Sequence, residues 1–412
     1  MKFFIGLTSK VLACLAILVS QQVGAADRTL TFVYSPNPAN PGSNQFINTT
    51  PNSGYCSDRP SSCSSGEKSI TAGITSIRTL IPTPPPSLEQ GGSFKLPGGW
   101  HDIEVSNGSE HAPLRFRITG IKATHQFGQN VLDLTGMGSL EQAHNALWQG
   151  GHWANAASPC SFGGTAYITV TFQNFYWNIP ASGTSRCGKI NNFNLVNFWI
   201  NNFGFKYVVE MPDPQSLPSG RYTGTKTFSF GPGGDFDFGG VAMAPQVLNL
   251  NFDVTVNHVL EASFPPGSST AALQPQGGWL QWLQRGRRPE KLSIDQHFRF
   301  STNNAFKMHI ECQYTVGNQC GIQNGSGHQV PVESRVTLPA GINNASGQPA
   351  NRQLLSPVDK HVFTPTRLVN DSRAQLHFEV GRDDVKDMID HHSGSKYSGN
   401  VTVVWDSDIA AP

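Results

Sequence analysis

The sequence predicts an all-β fold built as two β-sandwich domains. Short runs that alternate apolar and polar residues recur along the chain, and clusters of Gly, Pro, Asn and Ser separate them. Alternation with a period of two residues is typical of strands with one buried face. The chain has 42 Gly, 28 Pro and only 14% charged residues. Long amphipathic helical patterns are almost absent, which favours β-sheets over a helical architecture.

The chain begins with the pattern of a signal peptide, predicted over residues 1–26. Lys2 supplies positive charge, residues 11–20 are apolar, and small residues allow cleavage after Ala25 or Ala26. The apolar run is too short to span a bilayer as a helix. We therefore expect an exported protein that passes through the periplasm and loses Cys14 with the signal peptide.

Six cysteines remain after the signal peptide. An even number in an exported chain predicts disulfides, although sequence alone does not choose among the possible pairings. Proximity along the chain favours Cys56–Cys63, Cys160–Cys187 and Cys312–Cys320. Zinc ligation is the alternative, but no Cys-x-x-Cys pair or Cys/His spacing supports it.

Residues 27–244 are predicted to form the first domain, a β-sandwich. Its clearest alternating runs are residues 28–34, 115–121 and 166–172. Residues 139–150 predict its one convincing helix, because a Ser and a Gln form a capping box at the start and a Gly ends the segment.

Residues 245–412 are predicted to form the second domain, an immunoglobulin-like sandwich. Residues 247–259 alternate over the longest run in the chain and are assigned to this domain. Further strands are expected within residues 291–295, 306–312, 329–338 and 374–380. A helical turn is expected at residues 383–390.

The chain ends in another alternating run. Val401, Val403 and Trp405 share one parity, Ile409 continues it, and Gly399 precedes them. Alternation with β-branched and aromatic residues predicts a strand with one buried face. A terminal strand has no following hairpin partner, so one of its edges could receive a strand from another chain. The alternative is an ordinary last strand of a complete sandwich.

This run resembles the C-terminal signature of subunits assembled by the chaperone–usher pathway of Gram-negative bacteria. Gly399 is the fourteenth residue from the end, and residues 218–224 resemble an element of the adhesive subunits. The family usually has an aromatic residue next to last, where this chain has Ala411. The resemblance implies a pilin domain that lacks its final strand. A periplasmic chaperone and then the next pilus subunit would supply that strand, with an outer-membrane usher as a further partner.

The donor strand would bind in a groove bordered by the strand with Gly399, Val401, Val403, Trp405 and Ile409. With a second exported domain placed before the pilin-like one, the chain resembles a two-domain tip adhesin. Such a subunit accepts a strand but has no free N-terminal extension to donate. The resemblance therefore implies a position at the fimbrium tip, attachment to a host or surface glycan or protein receptor, and no cofactor.

Aromatic and histidine residues of the first domain are candidates for receptor binding. In residues 148–153, Trp148, His152 and Trp153 surround two glycines, which suits a loop that stacks on sugar rings or docks peptide side chains. Trp100 and His101 are further candidates. The alternative is that the tryptophans fill the core. A metal site is a weaker possibility, because the five histidines between residues 101 and 152 have irregular spacing.

Other functional classes receive less support. A formal charge of +1 argues against nucleic acid as a partner, since phosphate binding requires a concentrated basic surface. No Gly-x-Ser-x-Gly, His-Glu-x-x-His or P-loop motif is present, so an enzyme is not expected. An exported polysaccharide-active enzyme with a carboxylate pair remains an alternative. So does a non-adhesive minor pilus subunit. A plain shaft subunit would require a free donor extension, for which residues 27–34 are a short candidate.

Overall fold

The computed structural model describes residues 24–40, 42–164 and 166–407. Most of the signal-peptide prediction therefore lies outside the described residues, as does Ile409. The predicted all-β class is confirmed, because strands dominate and the helices are short. None of the helices found there has the length and apolar character needed to cross a bilayer.

Among the described residues, fifteen strands precede residue 257, and we call them together the first unit. They are β1 (Ala25–Tyr34), β2 (Ile47–Asn48), β3 (Lys68–Thr71), β4 (Thr75–Ser76), β5 (Thr79–Ile81), β6 (Gly92–Pro97), β7 (His101–Ser106), β8 (His111–Gln126), β9 (Ser161–Gly164), β10 (Phe172–Asn178), β11 (Thr184–Lys189), β12 (Leu195–Glu210), β13 (Gly220–Ser229), β14 (Met243–Ala244) and β15 (Val247–Val256).

The first unit is organised by one large branched sheet. Its main order is β2-β1-β15-β13-β7-β8-β10-β9, and β12 joins it by pairing with β8, β3 and β5. Two small sheets, β6–β11 and β4–β14, accompany it. Residues 195–210 form one continuous strand with a register shift after Asn201, where Asn202 has a φ of 51°. The register shift is a β-bulge within the strand.

Aromatic side chains fill the core of the first unit. The ring of Phe94 lies 4.6 Å from that of Phe238, 5.3 Å from Phe175 and 5.9 Å from Trp177. All four side chains are almost fully buried. Large rings in tilted and edge-to-face contact bury much apolar surface, so this cluster is a major source of stability.

Strand β15 belongs to the first unit, whereas the sequence analysis assigned it to the second domain. It pairs in parallel with β1 from Ala25↔Val247 to Tyr34↔Val256 and antiparallel with β13 along its other edge. Its inward residues alternate with partly exposed ones, as predicted for a strand. Alternation does not reveal which sheet a strand joins, and the sheets divide after Val256 instead of near residue 245.

Between residue 259 and residue 407, where the described part of the chain ends, there are twelve strands, and we call them the second unit. They are β16 (Leu260–Ser263), β17 (Gln274–Pro275), β18 (Leu292–Thr302), β19 (Phe306–Cys312), β20 (Tyr314–Val316), β21 (Gln319–Gln323), β22 (Gln329–Thr337), β23 (Ile342–Asn344), β24 (Gln353–Leu354), β25 (His361–Pro365), β26 (Val369–Val380) and β27 (Val401–Asp406).

The second unit consists of two sheets that share a core. One has the order β16-β18-β26-β22-β21-β20, with β17 and β24 as short additions, and the other has the order β23-β25-β19-β27. Phe300 and Leu376 from the first sheet and Phe306, Ile310 and Phe363 from the second are buried in one cluster. Two packed sheets around one apolar layer form a sandwich.

Short helices lie between the strands. They are α1 (Tyr55–Asp58), α2 (Val131–Thr135), α3 (Leu140–Ala146), α4 (Leu280–Arg285) and α5 (Arg382–His391), with 3₁₀ turns at Pro60–Ser62, Leu88–Gln90 and Pro214–Ser216. The predicted helix after Ser139 is present as α3, and the Ser139 hydroxyl accepts a hydrogen bond from the Gln142 N–H at 3.4 Å. Helix α5 extends the predicted turn near the C-terminus.

Polar side chains join the two units where β15 leads into β16. The amide nitrogen of Asn303 donates to the Tyr34 hydroxyl and lies against Nδ1 of His258, each at 3.0 Å. The Val259 N–H donates to the Asn303 side-chain oxygen at 2.8 Å. The connection of three residues between β15 and β16 is therefore held by side chains from both units.

All three predicted disulfides are present: Cys56–Cys63, Cys160–Cys187 and Cys312–Cys320. The second connects the segment before β9 to β11, with a sequence separation of 27 residues. Both of its cysteines are buried.

We expect loss of the Cys160–Cys187 disulfide to destabilise the first unit. Replacing both residues by alanine should lower the free energy of unfolding by roughly 2–4 kcal/mol, because the unfolded chain gains conformational freedom. Urea unfolding followed by tryptophan fluorescence measures this change. The Cys312→Ala/Cys320→Ala variant is the control, since its disulfide lies in the second unit. An unchanged urea midpoint in the first variant would contradict the prediction.

Candidate functional site

The C-terminal strand β27 ends its sheet. Its pairs with β19 run from Lys307↔Asp406 to Cys312↔Val401. Within residues 24–407 as described, no strand pairs with the other edge of β27. An edge strand presents a row of backbone N–H and C=O groups that can bind a further strand.

One face of β27 points into the sandwich. Val401, Val403 and Trp405 are partly buried and pack against the core of the second unit, whereas Thr402 is exposed. The indole ring of Trp405 lies 5.0 Å from the ring of Phe300 and 5.4 Å from that of Phe298. Trp405 is therefore held by the facing sheet, as expected from the alternation in the sequence.

A groove opens beside this row of side chains. Its volume is about 430 Å³, and it lies between β27 and the facing sheet. Its lining residues are Phe264, Pro265, Gly267, Ser268, Ser269, Gln296, Leu376, Phe378, Val401, Val403 and Trp405. An adjoining cavity of about 550 Å³ shares Phe264 and Pro265 with it. Apolar side chains from β27 and the facing sheet line the groove together with the polar side chains of Ser268, Ser269 and Gln296.

Residues 264–269, which directly follow β16, border the other side of the groove. Leu260 and Ala262 pack against the core but are only partly buried, like the inward residues of β27. In contrast, Met308 and Ile310 on the neighbouring strand β19 are almost fully buried. The core of the second unit is thus incompletely covered between β16 and β27, which are edge strands of opposite sheets.

Gly399 has a packing role next to this site. A Cβ atom at this position would lie 2.7 Å from the Gly321 carbonyl oxygen and 3.4 Å from the Ile322 Cα atom. Ser398 makes a backbone bridge to Gln323 on the same strand, β21. The absence of a side chain at residue 399 therefore allows close approach of β21.

The predicted receptor-binding residues occupy different environments. Trp148, His152 and Trp153 are buried in the first unit. The rings of Trp148 and Trp153 lie 4.5 Å apart, and Trp153 stacks on Trp177 at 4.7 Å. In this structure these three side chains do not reach the surface, in agreement with the alternative that the tryptophans fill the core.

A buried lysine explains why the glycine-containing segment folds inward. The Lys189 ammonium group donates hydrogen bonds to the backbone carbonyls of Gly150, Gly151 and His152 at 3.2, 2.9 and 2.9 Å. These bonds provide hydrogen-bond partners both for the buried ammonium group and for the carbonyl oxygens of the turn. The sequence analysis missed this role of Lys189, because it lies far from the segment in the chain.

Trp100 is the predicted receptor residue on the surface. It is 37% exposed, and the guanidinium groups of Arg115 and Arg117 lie 5.1 and 5.3 Å from its ring. His101 is partly buried and packs edge-to-face on Phe228 at 5.1 Å. The arrangement places an exposed indole beside two guanidinium groups, of which that of Arg115 is also paired with Glu210.

Three of the five crowded histidines are buried near one another. Burial lowers the pKa of His125 to about 3, and the neighbouring His144 adds to this effect. Burial also lowers the pKa values of His144 and His152. Both ring nitrogens of His144 already have partners, the Gln173 side-chain oxygen at 3.2 Å and the Thr169 carbonyl at 2.7 Å.

Comparisons with known proteins return only distant likenesses. No protein-family model and no curated protein matches the chain. Among solved structures, CfaE, the adhesive subunit of CFA/I fimbria of enterotoxigenic Escherichia coli, is 10% identical with a TM-score of 0.22, and the alignment covers 94% of both chains. A CfaE mutant gives the same values.

The CsuC–CsuE chaperone–tip adhesion subunit complex, from archaic chaperone–usher Csu pili of Acinetobacter baumannii, also matches. Its chain is 10% identical with a TM-score of 0.22, and the alignment covers 93% of this chain and 98% of that one. TM-scores this low do not establish a shared fold. The function of the present chain must therefore be inferred from its own residues.

We expect the protein to lose stability in mild acid because of the buried histidines. Below about pH 6.5 the unfolded state takes up a proton at His125, whereas the folded state does not until its much lower pKa is reached. The free energy of unfolding should therefore fall with decreasing pH, by up to about 1.4 kcal/mol per pH unit for this residue.

Urea titrations between pH 7 and pH 5 test this expectation. The His125→Leu variant should show a smaller pH slope than the parent chain, and the exposed His111→Gln variant should retain the parental slope. Equal slopes in the parent and the His125→Leu variant would show that this prediction is wrong.

Proposed function

We propose that the protein is the tip subunit of a chaperone–usher fimbria and that its second unit is completed by a strand from another protein. The supporting observation is the groove between β27 and residues 264–269, which follow β16. Inward residues of β16 and β27 are only partly buried, and the outer edge of β27 has no strand partner among the described residues. One inserted strand would cover these side chains and pair with the open edge of β27.

The groove suits a donor strand of alternating pattern. The donor backbone would pair with the outer edge of β27, and its apolar side chains would contact Leu376, Phe378 and Trp405 on the groove floor. A periplasmic chaperone would supply this strand first, and the next pilus subunit would replace it at the outer-membrane usher. The residual apolar surface explains why a chaperone is needed, since exposed patches of this kind promote aggregation.

The position of β1 supports a place at the tip. A shaft subunit needs a free segment to donate, and residues 27–34 were the candidate. These residues lie within the first sheet, where β15 pairs along their whole length and β2 pairs at Phe32 and Val33. Leu30, Phe32 and Tyr34 are buried. Donating this strand would require opening the first unit.

In this proposal the first unit carries the adhesive function. Trp100, beside Arg115 and Arg117, is the candidate contact for a host or surface glycan or protein receptor. Indole rings stack on sugar faces or peptide side chains, and the guanidinium groups add hydrogen-bond donors. The activity is binding without turnover.

We predict that a charge in the groove prevents chaperone capture. In Val403→Asp or Trp405→Asp, a carboxylate replaces an apolar side chain beneath the inserted strand, where an unpaired charge is costly. Periplasmic co-expression with the chaperone encoded beside the gene should then give no complex and a degraded chain.

Thr402→Asp is the matched control because it lies on the same strand with its side chain exposed. It should form a normal one-to-one complex. A chain ending after residue 396 should behave like the groove variants. Normal yield and assembly of Val403→Asp and Trp405→Asp would contradict the proposed strand-acceptor role.

We predict that Trp100→Ala weakens adhesion without affecting assembly. The complex with the chaperone would be applied to arrays of immobilised glycans and extracellular-matrix proteins. Trp279→Ala is the control, since Trp279 is similarly exposed at 40% but lies in the second unit. Equal binding by the parent chain and Trp100→Ala would exclude this surface. Absence of binding by the parent chain would instead favour a non-adhesive minor subunit.

A further inference from the structure

We propose that the second unit contains a divalent transition-metal site formed by His328, Asp387 and His392. One potential ligand atom from each residue lies within 4.8 Å of the others. Two imidazoles and one carboxylate form a ligand set typical of Zn²⁺, which binds three protein side chains and a water at open sites. This site is separate from the groove and does not depend on the proposed adhesive function.

The three residues come from separate parts of the chain. His328 lies in the turn between β21 and β22, Asp387 lies in α5, and His392 directly follows that helix. Helix α5 is fixed on the sheet by Val385, which packs in a small apolar cluster with Val330 and Val332. The fold therefore brings together His328 and Asp387, which are 59 residues apart in the sequence.

The closest pair already has the spacing of metal ligands. Nε2 of His328 lies 3.0 Å from Oδ2 of Asp387. Bonds of about 2.0–2.1 Å in a tetrahedral zinc site place ligand atoms about 3.3 Å apart. A cation could thus replace the proton between these two atoms with only a small separation of the side chains.

The imidazole of His392 lies directly against that of His328. The ring centroids are 3.8 Å apart and the planes differ by 14°. Nearly parallel rings direct their nitrogens side by side, so coordination requires His392 to turn about its side-chain bonds. Both rings are only partly buried, which leaves room for this rotation and for a water in the fourth position.

Neighbouring groups orient two of the ligands. The Tyr397 hydroxyl is 2.8 Å from Nδ1 of His328, on the opposite side of the ring from Asp387. Nδ1 of His391 lies 2.7 Å from the second oxygen of Asp387. Outer hydrogen bonds of this kind hold metal-binding histidines and carboxylates in position. An ion pair between His328 and Asp387 alone would need neither the imidazole of His392 nor the hydrogen bond with Tyr397 that orients His328.

Metal binding would stabilise the segment that leads into β27. Tyr397 lies four residues before this strand, and Ser398 bridges to Gln323 beside the turn that contains His328. A cation would connect this turn, α5 and, through Tyr397, the segment that leads into the last strand. Binding to the folded state alone raises the thermal midpoint of unfolding.

The test is titration of the full chain, purified from the periplasm as the complex with its chaperone, without a polyhistidine tag, and treated with EDTA. Calorimetry with ZnCl₂ should show saturable binding of one ion per chain. The thermal midpoint should rise on addition of zinc. CoCl₂ should produce visible absorption of the intensity typical of four-coordinate cobalt, which reports the coordination number of the bound ion.

His328→Gln, Asp387→Asn and His392→Gln should each abolish saturable binding and the cobalt spectrum. Tyr397→Phe should weaken zinc binding by about 10–100-fold, because the outer hydrogen bond is lost. The matched control is His111→Gln, which removes an exposed histidine that also pairs with a carboxylate, Glu104 at 2.9 Å, but has no second imidazole. It should bind zinc like the parent chain.

Circular dichroism of each variant establishes that it is folded before titration. The proposal is overturned if the parent chain binds no zinc, or if folded His328→Gln and His392→Gln variants bind as much zinc as the parent. In either case the three residues form only an ion pair with stacked rings.

Discussion

The hydrogen-bonding requirement of a sheet edge governs the organisation of this protein. Every strand edge carries backbone donors and acceptors that need partners, and every inward side chain needs cover. In the first unit the pairings of β1, β13 and β15 meet these needs within the chain. In the second unit β27 pairs on one side, and the core beneath it is only partly covered. The assignment of function follows from this difference between the two units.

The strand patterns were accessible from sequence because they are local. Alternation correctly predicted strand β27 and the inward orientation of Val401, Val403 and Trp405. Proximity along the chain correctly predicted the cysteine pairs. Alternation also identified residues 247–256 as a strand. It did not reveal the parallel pairing with β1, because that partner lies more than 200 residues earlier and leaves no mark on the local pattern.

Side-chain environments were less predictable. Trp148 and Trp153 stand beside glycines in a segment that reads as an exposed loop, yet Lys189 binds its carbonyls and the indoles enter the core. Likewise, His328 and His392 are 64 residues apart and no spacing rule connects them, so their contact appears only in the folded chain. In both cases contacts between residues far apart in the sequence determine the side-chain environment. The local composition does not predict those contacts.

The placement of β15 also has a mechanical consequence. This strand leads directly into the second unit, so a force applied there enters the first unit through β15. Ten residues of β15 lie in register between β1 and β13. Hydrogen bonds of a ladder run across the strands, so a pull along β15 loads both ladders lengthwise and strains their bonds together. The first unit is therefore attached in shear geometry, in which no single hydrogen bond must bear the load alone.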